Sequence, residues 1–438
     1  MGHLGHVEHL RDEHRALARR LSAAPMALPE PRDPRAWDGW REILEILYSP
    51  DEAALAARLP LKPTSLEQLA ASLGLPAAEL APRLEAMCEK GIVMDLRNAQ
   101  TGSVKFLLAP PLGGFFEFSL MRAHDAIPQQ RMAEALAAYC DGDEAFAREV
   151  FDRDTVIGRA VVHETALEDE TPDVLAWERA TSLLEDARAI AVSLCYCRHA
   201  ASHLGQACDA PARNCFTLNG GADFVVRRGF GRAAERTEAL ELLHQARAAG
   251  LMQIADNVQR RPAYLCNCCG CCCHQLRAIN RFGLDAVNHS GFLPHCDETA
   301  CKGCGRCARA CPIAAIGMEP RHAAGSRRNR LFPSVAKDRC LGCGVCADSC
   351  RNHALGMRRE GERPSVPANG MERVVRMSLE RGLLSQLVFD EGGSRGHRFL
   401  GRLVDALATL PPVQQALATE QLRSRFVRFA LGRSRHAR

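Results

Sequence analysis

The chain has 438 residues, 47% hydrophobic and 25% charged, with 56 Lys and Arg against 52 Asp and Glu, as in a soluble globular protein of roughly two to four domains. The anomaly is 21 cysteines. Eight fall in residues 301–350, ten in 195–273, and Cys88, Cys140 and Cys296 stand apart, a clustering that excludes a disulfide framework spread over a long chain.

Residues 1–34 predict a polar helix and a linker. His3, His6, His9 and His14 fall at helical spacings, read here as a solvated helix because nothing nearby completes a metal site. Arg19-Arg20 resembles a twin-arginine export signal, but no apolar stretch follows it before Pro25, Pro29, Pro31 and Pro34 break the chain. No run reaches the roughly 18 apolar residues of a membrane span, the best being the stretch around Ala189–Leu194. The expectation is a cytoplasmic protein, where thiols stay reduced and clustered cysteines hold metal.

Residues 35–114 predict a winged helix-like domain. Trp37, Trp40, Ile43, Leu44 and Leu47 recur at helical spacing, Leu66–Leu73 forms a short helix after the Ser65 N-cap, and a third helix runs from Ala77 to Lys90. Ile92–Leu96 and Val104–Leu107 then predict a hairpin across a polar turn. The third helix carries Glu79, Glu85 and Glu89 against Arg83 and Lys90, the wrong sign for phosphate contact, so an interaction module is favoured over a DNA reader.

Residues 115–190 predict a helical connector without chemistry. Residues 191–291 form a Cys-rich module in which a strand ending near Leu194 runs into Cys195 and Cys197, and Pro262–Leu265 reaches Cys266 as a second strand. Between them a helix from Ala233 to Ala249 closes at Gly250. If both strands are real, the two halves of this cysteine group meet in space. Residues 361–438 predict a basic helical region, and Leu422–Leu431, with Arg423, Arg425 and Arg428, favours packing or partner contact over a membrane surface.

In residues 292–360 two runs carry a specific signal. Cys301, Cys304, Cys307 and Cys311 follow Cys-x2-Cys-x2-Cys-x3-Cys-Pro, and Cys340, Cys343, Cys346 and Cys350 repeat the spacing with Arg351 in place of the proline. Three thiolates so spaced wrap one face of a 4Fe-4S cubane, and the fourth reaches the other cluster of a two-cluster ferredoxin. One cluster would take Cys301, Cys304, Cys307 and Cys350, the other Cys340, Cys343, Cys346 and Cys311. The connector carries Arg321, Arg327, Arg328 and Arg330, read as a solvated loop in preference to a docking site for an acidic partner.

The second group comprises Cys195, Cys197, Cys208, Cys215, Cys266, Cys268, Cys269, Cys271, Cys272 and Cys273. Six thiols in eight residues have no packing role, so further iron-sulfur ligation is expected, with zinc or thiol redox chemistry as alternatives. Ten sulfurs exceed one cluster's needs, and spacing does not say which four bind what. His199 and His203 are expected to support helices or ligands more than to ligate.

Together, Cys195-Tyr-Cys-Arg-His199 with His203, Cys208-Asp-Ala-Pro211 and Cys215, the Cys266–Cys273 run, the paired ferredoxin motifs, Pro110–Arg122 and Leu410–Leu417 resemble a family of prokaryotic 4Fe-4S dicluster ferredoxin-like proteins. The resemblance implies iron-sulfur binding and leaves any substrate open. The expected architecture is α+β, multidomain and mostly helical, with the winged helix-like domain followed by the two-cluster ferredoxin-like domain. No dinucleotide or Walker motif is present. The reading is therefore an electron carrier relaying to or from a partner oxidoreductase. An iron-sulfur-dependent transcriptional regulator, and an oxidoreductase with substrate chemistry at the Cys195–Cys273 centre, are the alternatives.

Overall fold

The protein is described from a computed structural model, which covers residues 10–98, 100–167, 174–322, 329–360 and 363–384. The histidines at 3, 6 and 9, Arg327 and Arg328, and the segments Leu410–Leu417 and Leu422–Leu431 lie outside the described residues. Architecture is α+β as expected, with sixteen α-helices and four sheets among the described residues.

Helix α1 (Asp12–Ser22) is not the solvated element its polar sequence suggested. It buries His14, Leu17, Ala18 and Leu21, and His14 Nε2 lies 2.8 Å from the Tyr48 carbonyl. Helices α2 (Pro34–Leu47) and α3 (Pro50–Ala56) precede a two-residue strand, β1 (Thr64–Ser65). Ser65 then forms a capping box with Gln68 that starts α4 (Leu66–Leu73), and the left-handed Gly74 ends it. Helix α5 (Ala77–Lys90) leads into β2 (Val93–Arg97) and β3 (Val104–Leu108), which pair antiparallel, and β1 pairs with β3, giving the order β1-β3-β2.

Helices α6 (Phe116–Leu120), α7 (Gln129–Gly142) and α8 (Ala145–Phe151) follow. Residues 115–190 are nevertheless more than the quiet helical connector expected, because β4 (Gly158–Val161) joins the main sheet. All four β4 residues are buried, and so short an element, Gly-Arg-Ala-Val, offers no alternation to read.

That sheet has the order β10-β4-β8-β9-β6-β5-β7, antiparallel except for the β10–β4 pair. Its remaining elements run in sequence as α9 (Ala180–Glu185), β5 (Ile190–Ser193), α10 (Tyr196–His203), β6 (Cys215–Leu218), α11 (Gly220–Arg227), β7 (Arg232–Ala233), α12 (Arg236–Ala248), β8 (Met252–Asp256), β9 (Tyr264–Cys268), α13 (His274–Phe282) and β10 (Val287–Asn288). One face packs on α9 and α12 through Leu183, Leu184, Phe216, Ala239, Leu243 and Leu265. The other face, through Met252 and Ile254, joins the core that also holds the N-terminal helices and Leu276 of α13.

The final sheets are β11 (Phe292–Cys296) with β14 (Leu355–Arg359), and β12 (Ile316–His322) with β13 (Asn329–Val335), flanking α14 (Arg306–Ala310) and α15 (Val345–Asp348). Among the described residues of the connector, expected as a solvated loop, β12 and β13 pair as a hairpin, and the hairpin's two described arginines, Arg321 and Arg330, are engaged. Arg321 pairs with Glu298 at 2.9 Å, and Arg321 and Arg330 flank the Phe332 ring at 5.2 and 5.0 Å. Helix α16 (Gly370–Glu380) returns to the sheet, where Arg373 pairs with Asp256 and Glu380 accepts from Thr155 Oγ1 at 2.5 Å.

The N-terminal unit is fastened to the Cys-rich module by charge. Asp95 on β2, buried, accepts from Arg227 Nη1 at 2.5 Å and Arg228 Nε at 3.1 Å, and Arg228 also holds Glu85 of α5. Removing Asp95 would leave Arg227 and Arg228 only their exposed partners Asp223 and Glu85 in a part-buried contact, where breaking the buried side of an ion pair costs about 3 kcal/mol. Asp95→Ala is therefore expected to lower unfolding free energy by about 3 kcal/mol in a urea titration, with Asp223→Ala, at the exposed end of the same network, changing it by less than about 1 kcal/mol.

Candidate iron-sulfur and metal centres

The two ferredoxin-type loops are copies 39 residues apart, as the positions of Cys301 and Cys340 give. Gly303 and Gly305 in the first, and Gly342 and Gly344 in the second, all adopt positive φ between 68° and 84°. A Cβ on Gly303 would approach the Leu331 carbonyl of β13 to 2.7 Å, and one on Gly342 would fall inside the Phe292 carbonyl of β11. Both turns therefore require glycine for conformation and for close approach. The Gly303 amide donates to Cys301 Sγ at 3.4 Å, and the Gly342 amide makes the corresponding bond to Cys340.

Arg351 does not alter the second loop's exit. Ala314 and His353, each three residues past the fourth cysteine, both take the left-handed conformation, with φ 51° and 48°. The next amide returns to the thiol in each copy, Ala315 to Cys311 at 3.2 Å and Ala354 to Cys350 at 3.4 Å. Cys311 lies beside Cys340 and Cys343, while Cys350 packs with Cys301 and Phe332. Burial, followed by the neighbouring thiols, pushes Cys343 up to about 12 and raises Cys340 and Cys346. Such sulfurs ionise only with compensating positive charge at hand.

Two neighbours escaped sequence reading. Cys296, at the end of β11, packs against Cys301 and Cys350. It occupies the position that Val335 holds in the other copy, since each stands five residues before its first cysteine. Its spacing matches no ligand motif, so only the internal repeat could have placed it. His163 is fully buried, with Nδ1 2.6 Å from Asp348 Oδ2, Nε2 3.0 Å from the Leu251 carbonyl, and its amide donating to the Cys343 carbonyl at 2.9 Å.

The ten remaining thiols meet, as the two strand ends foretold, at one end of the main sheet. Antiparallel pairing of β5 with β6 sets Ser193 opposite Cys215, and the pairing of β8 with β9 sets Cys266 and Cys268 opposite Ile254 and Met252. Tyr264, Cys266 and Cys268 share one face of β9. Cys195 caps α10, and Cys273 caps α13.

Seven of these thiols line one cavity of about 150 Å³. Six of them, in the order Cys215, Cys266, Cys268, Cys273, Cys197 and Cys195, form a chain of thiol–thiol contacts, and the seventh is Cys269. Cys215 and Cys266 are 3.7 Å apart. Neighbouring thiols that donate to them lower Cys195, Cys266 and Cys273, and two of these three stand at helix N-termini, which favour thiolate. Burial raises Cys197, and donation to Cys266 raises Cys215 and Cys268.

Glu117 on α6 also faces the cavity, and burial pushes its carboxyl up to about 7 even though the Gly114 amide donates to it at 3.1 Å. Glu117 falls within the Pro110–Arg122 segment that carried the family resemblance, but no sequence signal assigned it a chemical role. Cys269 also belongs, with Cys208, Cys271 and Cys272, to a compact group with all sulfurs within 4.8 Å of one another. His199 and His203 join neither group. His199 Nδ1 lies 2.8 Å from the Leu120 carbonyl, and the His203 ring is beside it at 4.8 Å. Cys88 and Cys140 are buried and packed in the core.

Crossed thiols, bonded amides and obligatory glycines suit 4Fe-4S clusters, and the class these loops define is the iron-sulfur-binding proteins. Residues 300–354 match the family of the 4Fe-4S dicluster domain, so this is a 4Fe-4S dicluster domain-containing protein. No curated protein and no solved structure matches the chain. No helix among the described residues is long and apolar enough to cross a membrane.

Gly342→Ala is expected to lose one cluster, about four irons, by iron analysis, while Lys302→Ala, on the exposed rim of the first loop, loses none. Burial opposes ionisation of Asp348, but the His163 hydrogen bond, its charge and Thr165 outweigh it and hold the carboxyl below its usual range. The folded value being depressed, this stabilisation is present above the ordinary carboxylate range and lost as pH falls through the lowered one. Asp348→Asn is therefore expected to cost about 1–3 kcal/mol at pH 7, measured by thermal unfolding, with the gap to wild type closing on acidification.

Proposed function

We propose that the protein is an electron carrier or redox subunit holding two 4Fe-4S clusters in residues 292–360 and a further iron-sulfur centre on the six-thiol chain that lines the sheet-end cavity, relaying electrons to or from a partner oxidoreductase in a reducing compartment. The first cluster is held by Cys301, Cys304, Cys307 and Cys350, and the second by Cys340, Cys343, Cys346 and Cys311. The observation that carries the relay is a single continuous hydrophobic core. It contains Cys268 and Cys273 of the cavity, Ile313, Ala315 and Leu341 beside the ferredoxin loops, and the partly buried Cys266, Cys311, Cys340 and Cys343 packed against it. Thiols of both groups thus border one dry, rigid medium.

Iron-sulfur clusters supply one-electron chemistry when bound. The chain's own residues bury or partly bury all of these thiols except Cys271 and Cys304, donate amides to Cys301, Cys311 and Cys350, and set the spacing between the two groups.

The remaining division of the chain follows the same reading. Residues 1–34 and 35–114 form an N-terminal helix and a winged helix-like docking module, 115–190 connect it, 191–291 carry the additional centre, and 361–438 are a C-terminal basic region. Helix, strand, two helices and a hairpin in the order β1-β3-β2 support the winged-helix assignment. DNA binding is disfavoured because Glu79, Glu85 and Glu89 are the charged residues on the exposed face of α5, while Arg83 and Lys90 are only partly exposed. Glu117 supports a second reading, substrate chemistry at the cavity, because a carboxyl that titrates near neutrality can exchange a proton there.

The test is iron and sulfide analysis with EPR on protein purified without oxygen. About twelve irons per chain are expected, against about eight if only the ferredoxin loops are loaded. Cys304→Ser is expected to remove one ferredoxin signal and spare the third centre, and Cys268→Ser to do the reverse. Identical iron loss in both variants contradicts separate centres.

A further inference from the structure

The four thiols outside the six-thiol contact chain have a spacing of their own, although one of them, Cys269, also lines the cavity. Cys208 Sγ lies 3.6 Å from Cys269 Sγ and 3.9 Å from Cys272 Sγ, and Cys271 Sγ is 3.7 Å from Cys272 Sγ. A single tetrahedral ion with metal–sulfur bonds of about 2.3 Å separates its thiolates by about 3.8 Å. A cubane instead places each thiolate on a different iron, with the width of the cluster between them. The eight ferredoxin thiols provide the internal comparison. Among the described residues, no three of them lie as close together as this quartet does.

Disulfides do not account for the grouping. Cys271 and Cys272 are adjacent, so their Cα atoms are about 3.8 Å apart, below the 4.4–6.8 Å range that an ordinary disulfide spans. Cys272 also approaches Cys208, so the four sulfurs form one cluster and not two pairs.

We infer that Cys208, Cys269, Cys271 and Cys272 bind one zinc ion in a closed tetrathiolate site, and that this ion is a structural clamp between the cavity and the ferredoxin loops. Four thiolates around a divalent ion leave a net negative charge, and a buried cation meets it. Arg198, 2% exposed, directs Nη2 to Cys269 Sγ at 3.8 Å and donates to the Asn267 carbonyl at 3.1 Å, while its Nη1 holds the Pro211 carbonyl and, at 3.3 Å, Asn214 Oδ1. With all four positions filled by thiolate, no position is left open for water or substrate, as structural zinc requires.

The clamp has a definite load. Cys208 and Cys269 are 61 residues apart, so the ion joins the loop after α10 to the turn after β9. That turn ends at Cys273, a cavity thiol. At its apex a Cβ on Gly270 would fall inside the Pro312 carbonyl, next to Cys311. Asn280 Nδ2 bridges the Gly270 carbonyl at 3.3 Å and the Pro312 carbonyl at 3.0 Å. Fixing the Cys269–Cys272 turn therefore fixes the distance from Cys273 to Cys311. The inference rests on sulfur geometry and does not depend on what fills the cavity.

The test uses the full chain purified anaerobically from cells grown with both metals, with zinc and iron quantified together and zinc K-edge absorption recorded. About one zinc per chain is expected, with four sulfurs at about 2.3 Å. Cys271→Ser, at the exposed corner, and Cys208→Ser are each expected to lose that zinc and keep the iron, with altered magnetic coupling between clusters in EPR. Wild-type protein without zinc, a zinc shell containing nitrogen, zinc retained in both variants, or iron lost with Cys271→Ser would each overturn the assignment. The wild-type spectrum decides the matter even if both variants misfold. Absence of iron from the cavity, with zinc still on four sulfurs, would instead count against the third iron-sulfur centre alone.

Discussion

Seven thiols lining one cavity cannot all carry charge in a largely apolar surrounding unless positive charge is among them, and the rest of the molecule is arranged around that constraint. The strands place the sulfurs at one end of the sheet, two helices begin at Cys195 and Cys273, and Arg198 meets the neighbouring quartet from inside the protein. Proton sharing along the thiol chain relieves part of the repulsion, lowering Cys266 at the expense of Cys215 and Cys268. Bound metal would relieve the remainder, coupling folding of this region to metal loading.

The ferredoxin loops meet the same constraint with different means. Each thiol there is spaced by a regular motif, its turn is set by two left-handed glycines, and its backbone supplies the amides. The sheet-end cavity has fewer backbone donors and more sulfurs, together with Glu117. Its chemistry therefore depends more on tertiary placement, and it is anchored on one side by the N-terminal helices and on the other by the turn that abuts Pro312.

What could be read from sequence divides along the same line. The Ser65 N-cap, the third helix from Ala77 to Lys90, the β2–β3 hairpin and the strands entering Cys195 and Cys266 were readable because local backbone chemistry determines them. The crossed neighbours in the ferredoxin loops followed from a short repeat. The division of the remaining thiols into a six-membered contact chain and a compact quartet did not, because Cys269 and Cys273 differ by four residues and both line the cavity, yet only Cys269 belongs to the quartet and only Cys273 to the chain. Nor did His163, Glu117 or β4, whose roles arise from contacts with segments far away in sequence. Helix α1 looked solvated because its polar residues outnumber the four that it buries.

Anomalous diffraction from crystals of the anaerobically purified protein, collected on either side of the iron and zinc absorption edges, tests the partition most directly. The account predicts iron density at both ferredoxin loops and along the cavity's Cys195–Cys197–Cys215–Cys266–Cys268–Cys273 chain, with zinc density alone among Cys208, Cys269, Cys271 and Cys272. Iron density spanning the quartet, or a cavity empty of metal, would contradict it.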